Sequence, residues 1–176
     1  GDICGNYAIL GYSNICNVFN VYVPWYCSVV ARDIVRQLKR MIDIFSLKVE
    51  EIVSKIKDSQ LTSVEICEKY IERINKFEKD VKAWVHFDKK ILLEKALEAD
   101  EYRRSGKPTG PLHGIPVALK DIIGTVDMPT ECGTSIRKGK SYSQNAEIVD
   151  LLLSAGAIVM GKTTTSELAY LGPSKT

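Results

Sequence analysis

Hydrophobic residues recur with a regular period only from about residue 46 onwards, and the period changes several times along the chain. Apolar residues three and four positions apart mark one face of a helix, whereas strict alternation or a short apolar run marks a strand. These patterns predict helices over residues 47–57, 62–77, 90–103 and 146–154, and strands over residues 81–87, 115–119 and 157–160. Because helices and strands alternate along the chain, the predicted class is α/β.

Two of the predicted helices also have recognisable ends. Thr62 followed by Glu65 matches a capping box, in which the two side chains satisfy backbone N–H groups of the first turn. Gly156 stands just after the fourth helix, where a glycine commonly ends a helix. Residues 105–116 are rich in Gly and Pro, which restrict the path of the backbone into the second strand.

The first forty residues have a different character. Residues 1–31 carry almost no charge and have no clear period. We therefore predict a poorly ordered N-terminal extension over residues 1–43, with Met41 as a hypothetical natural start, followed by a domain over residues 44–176.

Within that extension, residues 15–31 are apolar but are a poor bilayer span, because Asn17, Asn20 and Pro24 interrupt them. Four basic residues follow the segment, so a membrane anchor stays open as the weaker alternative. The prediction is a protein without a membrane partner.

Charge and cysteine content narrow the function classes. The 24 basic and 22 acidic residues are well mixed, which gives no electrostatic case for nucleic acid or an anionic membrane and points to a small or neutral substrate. The five cysteines include no C-x-x-C pair and no zinc spacing, so no metal site is predicted. Reduced thiols and a cytoplasmic location are the simpler interpretation.

Lys120 ends the apolar strand in the segment GPLHGIPVALKD, residues 110–121. A lysine at a strand end can be partly desolvated, which lowers its pKa and allows it to act as a base. The residues alone favour the other interpretation, an exposed lysine with no chemistry. In the same region, Asp121 and His113 are expected to be structural, and Cys132 is expected to be buried and inert.

Residues 156–163, GAIVMGKT from Gly156 to Thr163, match the phosphate-binding loop pattern G-x-x-x-x-G-K-[ST]. Such a loop must be flexible and must follow a strand, so that its N–H groups can surround a phosphate. Here the four intervening residues are apolar and predict a buried strand, and a helix precedes the first glycine. A nucleotide-binding protein therefore stays as a minor alternative.

Three segments taken together, residues 110–121, 128–135 and 161–169, resemble in their order and spacing the first part of amidase signature enzymes. The resemblance implies a mixed sheet flanked by helices, present here only in part, and hydrolysis of a small amide by a serine, a second serine in a cis peptide and a lysine. Lys120 matches the catalytic lysine. Gly133 and Thr134 match residues that line the active site, and Glu167 matches an acid that helps to hold either the lysine region or the loop beneath the serines.

The same resemblance implies no cofactor, and it leaves a homodimer open. No serine of the chain lies in a Gly-Gly-Ser-Ser type setting, so both catalytic serines are expected beyond Thr176 and the chain alone is expected to be inactive. Thr164 replaces an Asn that is frequent in the family, which favours the broader amidase group over the A-type component of glutamyl-tRNA amidotransferase. A non-catalytic assembly piece is the remaining alternative.

Overall fold

A computed structural model describes residues 43–170 and residue 172, so the predicted extension lies outside the described residues except at Asp43. The described chain is built of helices and strands in alternation, as the periodicity predicts. The helices are α1 (Val49–Lys57), α2 (Ser63–Val81), α3 (Lys89–Arg104) and α4 (Glu147–Ser154), and the strands are β1 (Trp84–Phe87), β2 (Pro116–Lys120) and β3 (Ile158–Thr163). Two short 3-10 helices cover Ser135–Arg137 and Glu167–Ala169.

The strands form a mixed sheet in the order β1-β3-β2, in which β3 is antiparallel to β1 and parallel to β2. The register of the parallel pair shifts once: Val117 pairs with Val159, but Ala118 pairs with Gly161. Met160 is therefore the extra residue of a β-bulge in β3, and bulges change the direction of the side chains that follow them.

The sheet is covered by helices on both faces, because β3 is apolar on both of its faces. Ile158 and Met160 pack with residues of α2 and α3 that include Cys67 and Leu92. Val159 packs in a second apolar cluster with Leu119 of β2 and Val149 of α4. Strands that are buried on both faces, such as β3, are usually covered by helices on both sides of the sheet.

The predicted capping box is present at the start of α2. Glu65 donates its N–H to the Thr62 hydroxyl at 3.1 Å, and the Glu65 carboxylate accepts the Thr62 N–H at 2.8 Å. The far end of α2 lies later than predicted, because the helix continues to Val81 and stops at Lys82 in the left-handed conformation. The predicted strand over residues 81–87 is correspondingly shortened to Trp84–Phe87.

Strand β3 is longer than its apolar run predicts, since its polar residues Lys162 and Thr163 pair with both neighbouring strands. Gly161 is required there, because a Cβ atom would overlap the carbonyl oxygen of His86. Within the residues that the structure describes, no helix is sufficiently long and apolar to span a bilayer.

Candidate functional site

The candidate site lies at the carboxyl ends of β2 and β3, where Lys120 pairs with Thr163. The Asp121 N–H donates to the Thr163 carbonyl oxygen at 2.9 Å, and the Thr163 hydroxyl donates to the Leu119 carbonyl oxygen at 3.3 Å. Ligands of open α/β sheets commonly bind beyond the carboxyl ends of the strands. Hydrogen bonds thus join the ends of β2 and β3 at the edge of the sheet where ligands commonly bind.

Lys120 is exposed, as the residues alone favour, so the partial burial that would suit a catalytic base is not found among the described residues. It is the last residue of β2, which is an edge strand among the described residues. The Lys120 amine is therefore open to groups that approach it from outside the described chain.

Asp121 has the opposite environment, since its side chain is fully buried. Its carboxylate accepts the N–H of Glu131, with both oxygens 3.2 Å from the nitrogen, and its carbonyl oxygen accepts the N–H of Cys132 at 3.0 Å. Asp121, the residue after Lys120, is therefore bonded to Cys132, the residue before Gly133. These bonds agree with the structural role that the sequence predicts.

Gly133 and Thr134 follow directly. Gly133 has a φ of 65°, and a Cβ atom there would lie 2.7 Å from the Thr165 carbonyl oxygen, so only glycine fits this close approach. Thr134 is buried, with its N–H donated to the Glu131 carbonyl oxygen at 3.1 Å. The structure thus brings Gly133 to the loop that follows β3.

Glu167 begins the short 3-10 helix in that loop, and its side chain is exposed. The N–H of the next residue, Leu168, donates to the Cys132 carbonyl oxygen at 2.7 Å. Backbone bonds therefore join all three motif segments, although no ion pair between Lys120 and Glu167 is present in residues 43–170.

Two further sequence expectations concern His113 and Cys132. His113 is buried and donates its Nε2–H to the Ala99 carbonyl oxygen at 2.9 Å, which agrees with a structural role. Cys132 is half-buried with a φ of 56°, so the expectation of a fully buried thiol is wrong. It occupies a tight turn whose backbone atoms are held by Asp121 and Leu168, and this leaves the side chain partly open.

Lys162 is the residue that sequence reasoning missed. Its side chain is fully buried, and its ammonium donates to the Ile123 carbonyl oxygen at 2.6 Å and to the Thr130 hydroxyl at 2.8 Å. Burial lowers the pKa of Lys162, and the Asp121 and Asp127 carboxylates act in the opposite direction. The sequence signal that could have indicated a buried Lys162 is its position directly after the apolar run of residues 157–160 and Gly161.

This placement also bears on the phosphate-binding alternative. Residues 158–163 form a strand with a buried core, as the four apolar residues predict, and the Lys162 amine is occupied by protein oxygens. Within the described part of the chain, no group of three His, Cys, Asp or Glu residues could hold a metal ion. The strand ends thus present an exposed amine, Lys120, next to a hydrogen-bonded loop.

Comparisons with known proteins agree with this architecture. A sequence profile described as Amidase matches residues 65–175. The chain is 37% identical over 129 residues to the A subunit of glutamyl-tRNA(Gln) amidotransferase from Streptomyces coelicolor, and 40% identical over 119 residues to that from Lachnospira eligens. Among solved structures, it is similar to the native peptide amidase of Stenotrophomonas maltophilia with a TM-score of 0.64 and 33% identity, over 69% of this chain.

Each of these matches covers most of this chain but only a part of the other protein. The alignments take in 73% of this chain and 26% of the Streptomyces protein, and 68% of this chain and 25% of the Lachnospira protein. The peptide amidase is likewise matched over 25% of its length. The chain therefore spans about a quarter of the length of the relatives it matches.

Proposed function

Because the chain belongs to the amidase family, we propose that it supplies the catalytic lysine, Lys120, of an enzyme that hydrolyses a small amide with a serine, a second serine in a cis peptide and this lysine. The mixed α/β sheet with helices on both faces is the fold of its structural neighbours. In the proposed reaction the nucleophilic serine attacks the amide carbonyl, and Lys120 takes the serine proton through the second serine and returns it to the leaving amine as the C–N bond breaks. Water then attacks the resulting serine ester and releases the acid, which restores the serine hydroxyl.

The observation that carries this proposal is the exposed Lys120 amine at the carboxyl end of β2. Its backbone is fixed by the pairing with Thr163 and by the bonds of the buried Asp121. A proton-transfer group must be reachable, and it must start from a fixed backbone position; Lys120 has an exposed amine on a backbone that is held by both strands. Lys162, the other lysine of the strand pair, is buried and occupied, so it is not a candidate for this role.

We further propose that the chain is an N-terminal portion of such an enzyme, with both catalytic serines beyond Thr176. The match to about a quarter of each relative supports this, as does the absence of a Gly-Gly-Ser-Ser type sequence from residues 1–176. Gly133, Thr134 and Glu167 would then line or support the site around Lys120. The proposal includes no cofactor, no nucleic acid and no membrane, and it leaves a homodimer open.

The A-type component of a glutamyl-tRNA amidotransferase is the second candidate, because the Streptomyces and Lachnospira relatives carry that description. Thr164, which stands where the family often has Asn, favours the broader amidase group. Purification of the natural protein from its source distinguishes the two: the amidotransferase component should copurify with its partner proteins, and the broader amidase should release ammonia or an amine from amides without them.

A hybrid enzyme tests the role of Lys120. The whole chain, residues 1–176, is joined to the part of the Stenotrophomonas peptide amidase that follows its matched segment, and amide hydrolysis is measured. Replacement of Lys120 by Ala should lower kcat by roughly a hundredfold or more, because the proton relay is lost. Residues 1–176 alone should release no ammonia from amides.

Lys89→Ala is the matched control, because Lys89 is an exposed lysine at the start of α3, outside the two 3-10 helices. It should leave kcat within about twofold of the parent hybrid. Folding of each protein is checked by circular dichroism and thermal melting. A folded hybrid whose activity survives Lys120→Ala, or hydrolysis by residues 1–176 that Lys120→Ala abolishes, contradicts the corresponding proposal.

A further inference from the structure

Lys162 is among the largest of the fully buried side chains in the described residues, and the proposed reaction makes no direct use of it. Its ammonium has two close acceptors, the Ile123 carbonyl oxygen at 2.6 Å and the Thr130 hydroxyl at 2.8 Å. The Thr130 hydroxyl in turn donates to the same Ile123 oxygen at 3.4 Å. These three groups form a closed triangle of hydrogen bonds inside the protein.

Burying an ammonium is costly, and an apolar residue of similar size often stabilises a fold better than a buried charge does. The Asp121 carboxylate, itself fully buried, compensates part of the cost by favouring the charged form of Lys162. A buried charge that adds little to stability can still hold one particular arrangement of the chain.

The two acceptors of Lys162 lie near the two ends of one loop. Ile123 comes three residues after Lys120, and Thr130 comes three residues before Gly133, so the ammonium spans the loop over residues 121–132 at its base. Thr130 extends the connection further, because its N–H donates to the Lys140 carbonyl oxygen at 2.8 Å. A side chain of β3 thus connects the two ends of the loop that lies between the candidate catalytic lysine and the candidate lining residues.

We propose that Lys162 is a positioning residue: its buried ammonium, bonded to Ile123 and Thr130, closes the loop over residues 121–132 and thereby holds Lys120 and Gly133 in the relative geometry that amide hydrolysis requires. The inference rests on the proposed role of Lys120 and adds to it. It also gives a function to the G-K-T sequence that resembles a phosphate-binding loop, since the lysine binds backbone and hydroxyl oxygens of its own chain.

Hydrogen exchange in residues 1–176 tests the closure of the loop directly. The amides of Glu131 and Cys132, which are bonded to Asp121, report on the loop, and the amides of α2 serve as the internal reference. Lys162→Met removes the ammonium and keeps most of the side-chain volume. It should raise the rate of exchange at the two loop amides by about tenfold or more relative to α2. In the variant the loop can open without breaking the hydrogen bonds of Lys162, so opening costs less free energy.

A second pair of variants covers the case in which Lys162→Met does not fold. Thr130→Val removes one acceptor without changing the shape of the side chain, and it should raise loop exchange in the same selective way. Thr130→Ser keeps the hydroxyl and should restore protection to within about twofold of the parent chain. Equal changes in the loop and in α2, or none in the loop, for Thr130→Val overturn the inference.

The hybrid enzyme then separates positioning from general stability. At a temperature where all variants are folded, Lys162→Met and Thr130→Val should lower kcat by about tenfold to a hundredfold and leave KM within about twofold, because misplaced catalytic groups slow the reaction without weakening substrate binding. Thr130→Ser should retain kcat.

The outcomes distinguish this inference from the proposed function. An active hybrid in which Lys120→Ala abolishes hydrolysis, while Lys162→Met and Thr130→Val leave kcat unchanged, overturns the role of Lys162 alone. A folded parent hybrid that hydrolyses no amide overturns the role of Lys120 and with it the positioning role built on it. Selective loop opening together with a fall in kcat supports both.

Discussion

The acidity of the Cys67 thiol is strongly changed by its buried surroundings. Its side chain is fully buried between α2 and α3, where it packs with Leu92 and Ala96. Burial raises the pKa of the Cys67 thiol to about 12, and the carboxylates of Asp100 and Glu68 act in the same direction. The thiol is therefore an apolar packing group with no nucleophilic role, since the thiolate is the reactive form.

The raised pKa of Cys67 predicts a loss of stability at alkaline pH. Above about pH 9 the unfolded chain releases the thiol proton, while the folded chain keeps it up to about pH 12, so the unfolded state is favoured progressively across this window. Between pH 8 and pH 10 the parent chain should lose roughly 1 kcal/mol more unfolding free energy than Cys67→Ala does. Urea denaturation at both pH values measures this difference; equal losses in the two proteins would contradict it.

At the scale of elements, the start of α2 is held from two directions. Thr62 and Glu65 form the capping box within the chain segment itself. Asp100 of α3, which is buried, adds a carboxylate that accepts the N–H of Ser63 at 2.8 Å and the N–H of Val64 at 3.1 Å. A carboxylate at a helix N-terminus also interacts favourably with the helix dipole. This contact fixes α3 to α2 beneath β3.

Asp100→Ala should therefore destabilise the fold by about 2 kcal/mol or more, because two N–H groups lose their acceptor inside the protein. Asp80→Ala, at an exposed aspartate near the C-terminal end of α2, is the matched control and should change stability by less than about 0.5 kcal/mol. Thermal or urea unfolding measures both. A small effect of Asp100→Ala, similar to that of the control, would show that the Thr62–Glu65 capping box alone is enough to stabilise the start of α2.

The elements also indicate how far sequence reasoning reaches. The apolar period and the Thr62–Glu65 cap predicted α2, because both signals are local. The polar end of β3 was not predictable from its own residues, since Lys162 is accommodated only by oxygens of Ile123 and Thr130, far away in the sequence. The position of Lys120 at the end of β2 was predictable from its motif, and its exposure agrees with what the residues alone favour.

At the scale of the whole molecule, the described chain is one mixed sheet with helices on both faces, and it corresponds to about a quarter of each relative's length. Several large apolar side chains are exposed, among them Ile136 at 80%, Tyr170 at 78% and Leu168 at 64%. These three belong to or directly follow the two 3-10 helices around the candidate site. Under the proposed function, further parts of the enzyme would pack there.

The whole architecture also predicts the outcome of a nucleotide-binding test. Residues 158–163 are strand, and the Lys162 amine is bonded to protein oxygens, so no phosphate cradle is formed there. Calorimetric titration of residues 1–176 with magnesium and ATP should give no saturable heat, in the parent chain or in Lys162→Met. Saturable binding that Lys162→Met abolishes would revive the nucleotide-binding alternative.

The bulge at Met160 separates the two amines of the parallel strand pair. With an uninterrupted register, Lys120 would stand directly opposite Lys162, and two like charges in that position repel. One added residue instead places Thr163 beside Lys120 and Leu119 beside Lys162. Because successive residues of a strand point to opposite sides, the two ammonium groups leave the sheet in opposite directions. The added residue in β3 thus places Lys162 among protein oxygens and leaves Lys120 exposed; under the proposed function, it sets which lysine takes part in proton transfer and which one holds the loop.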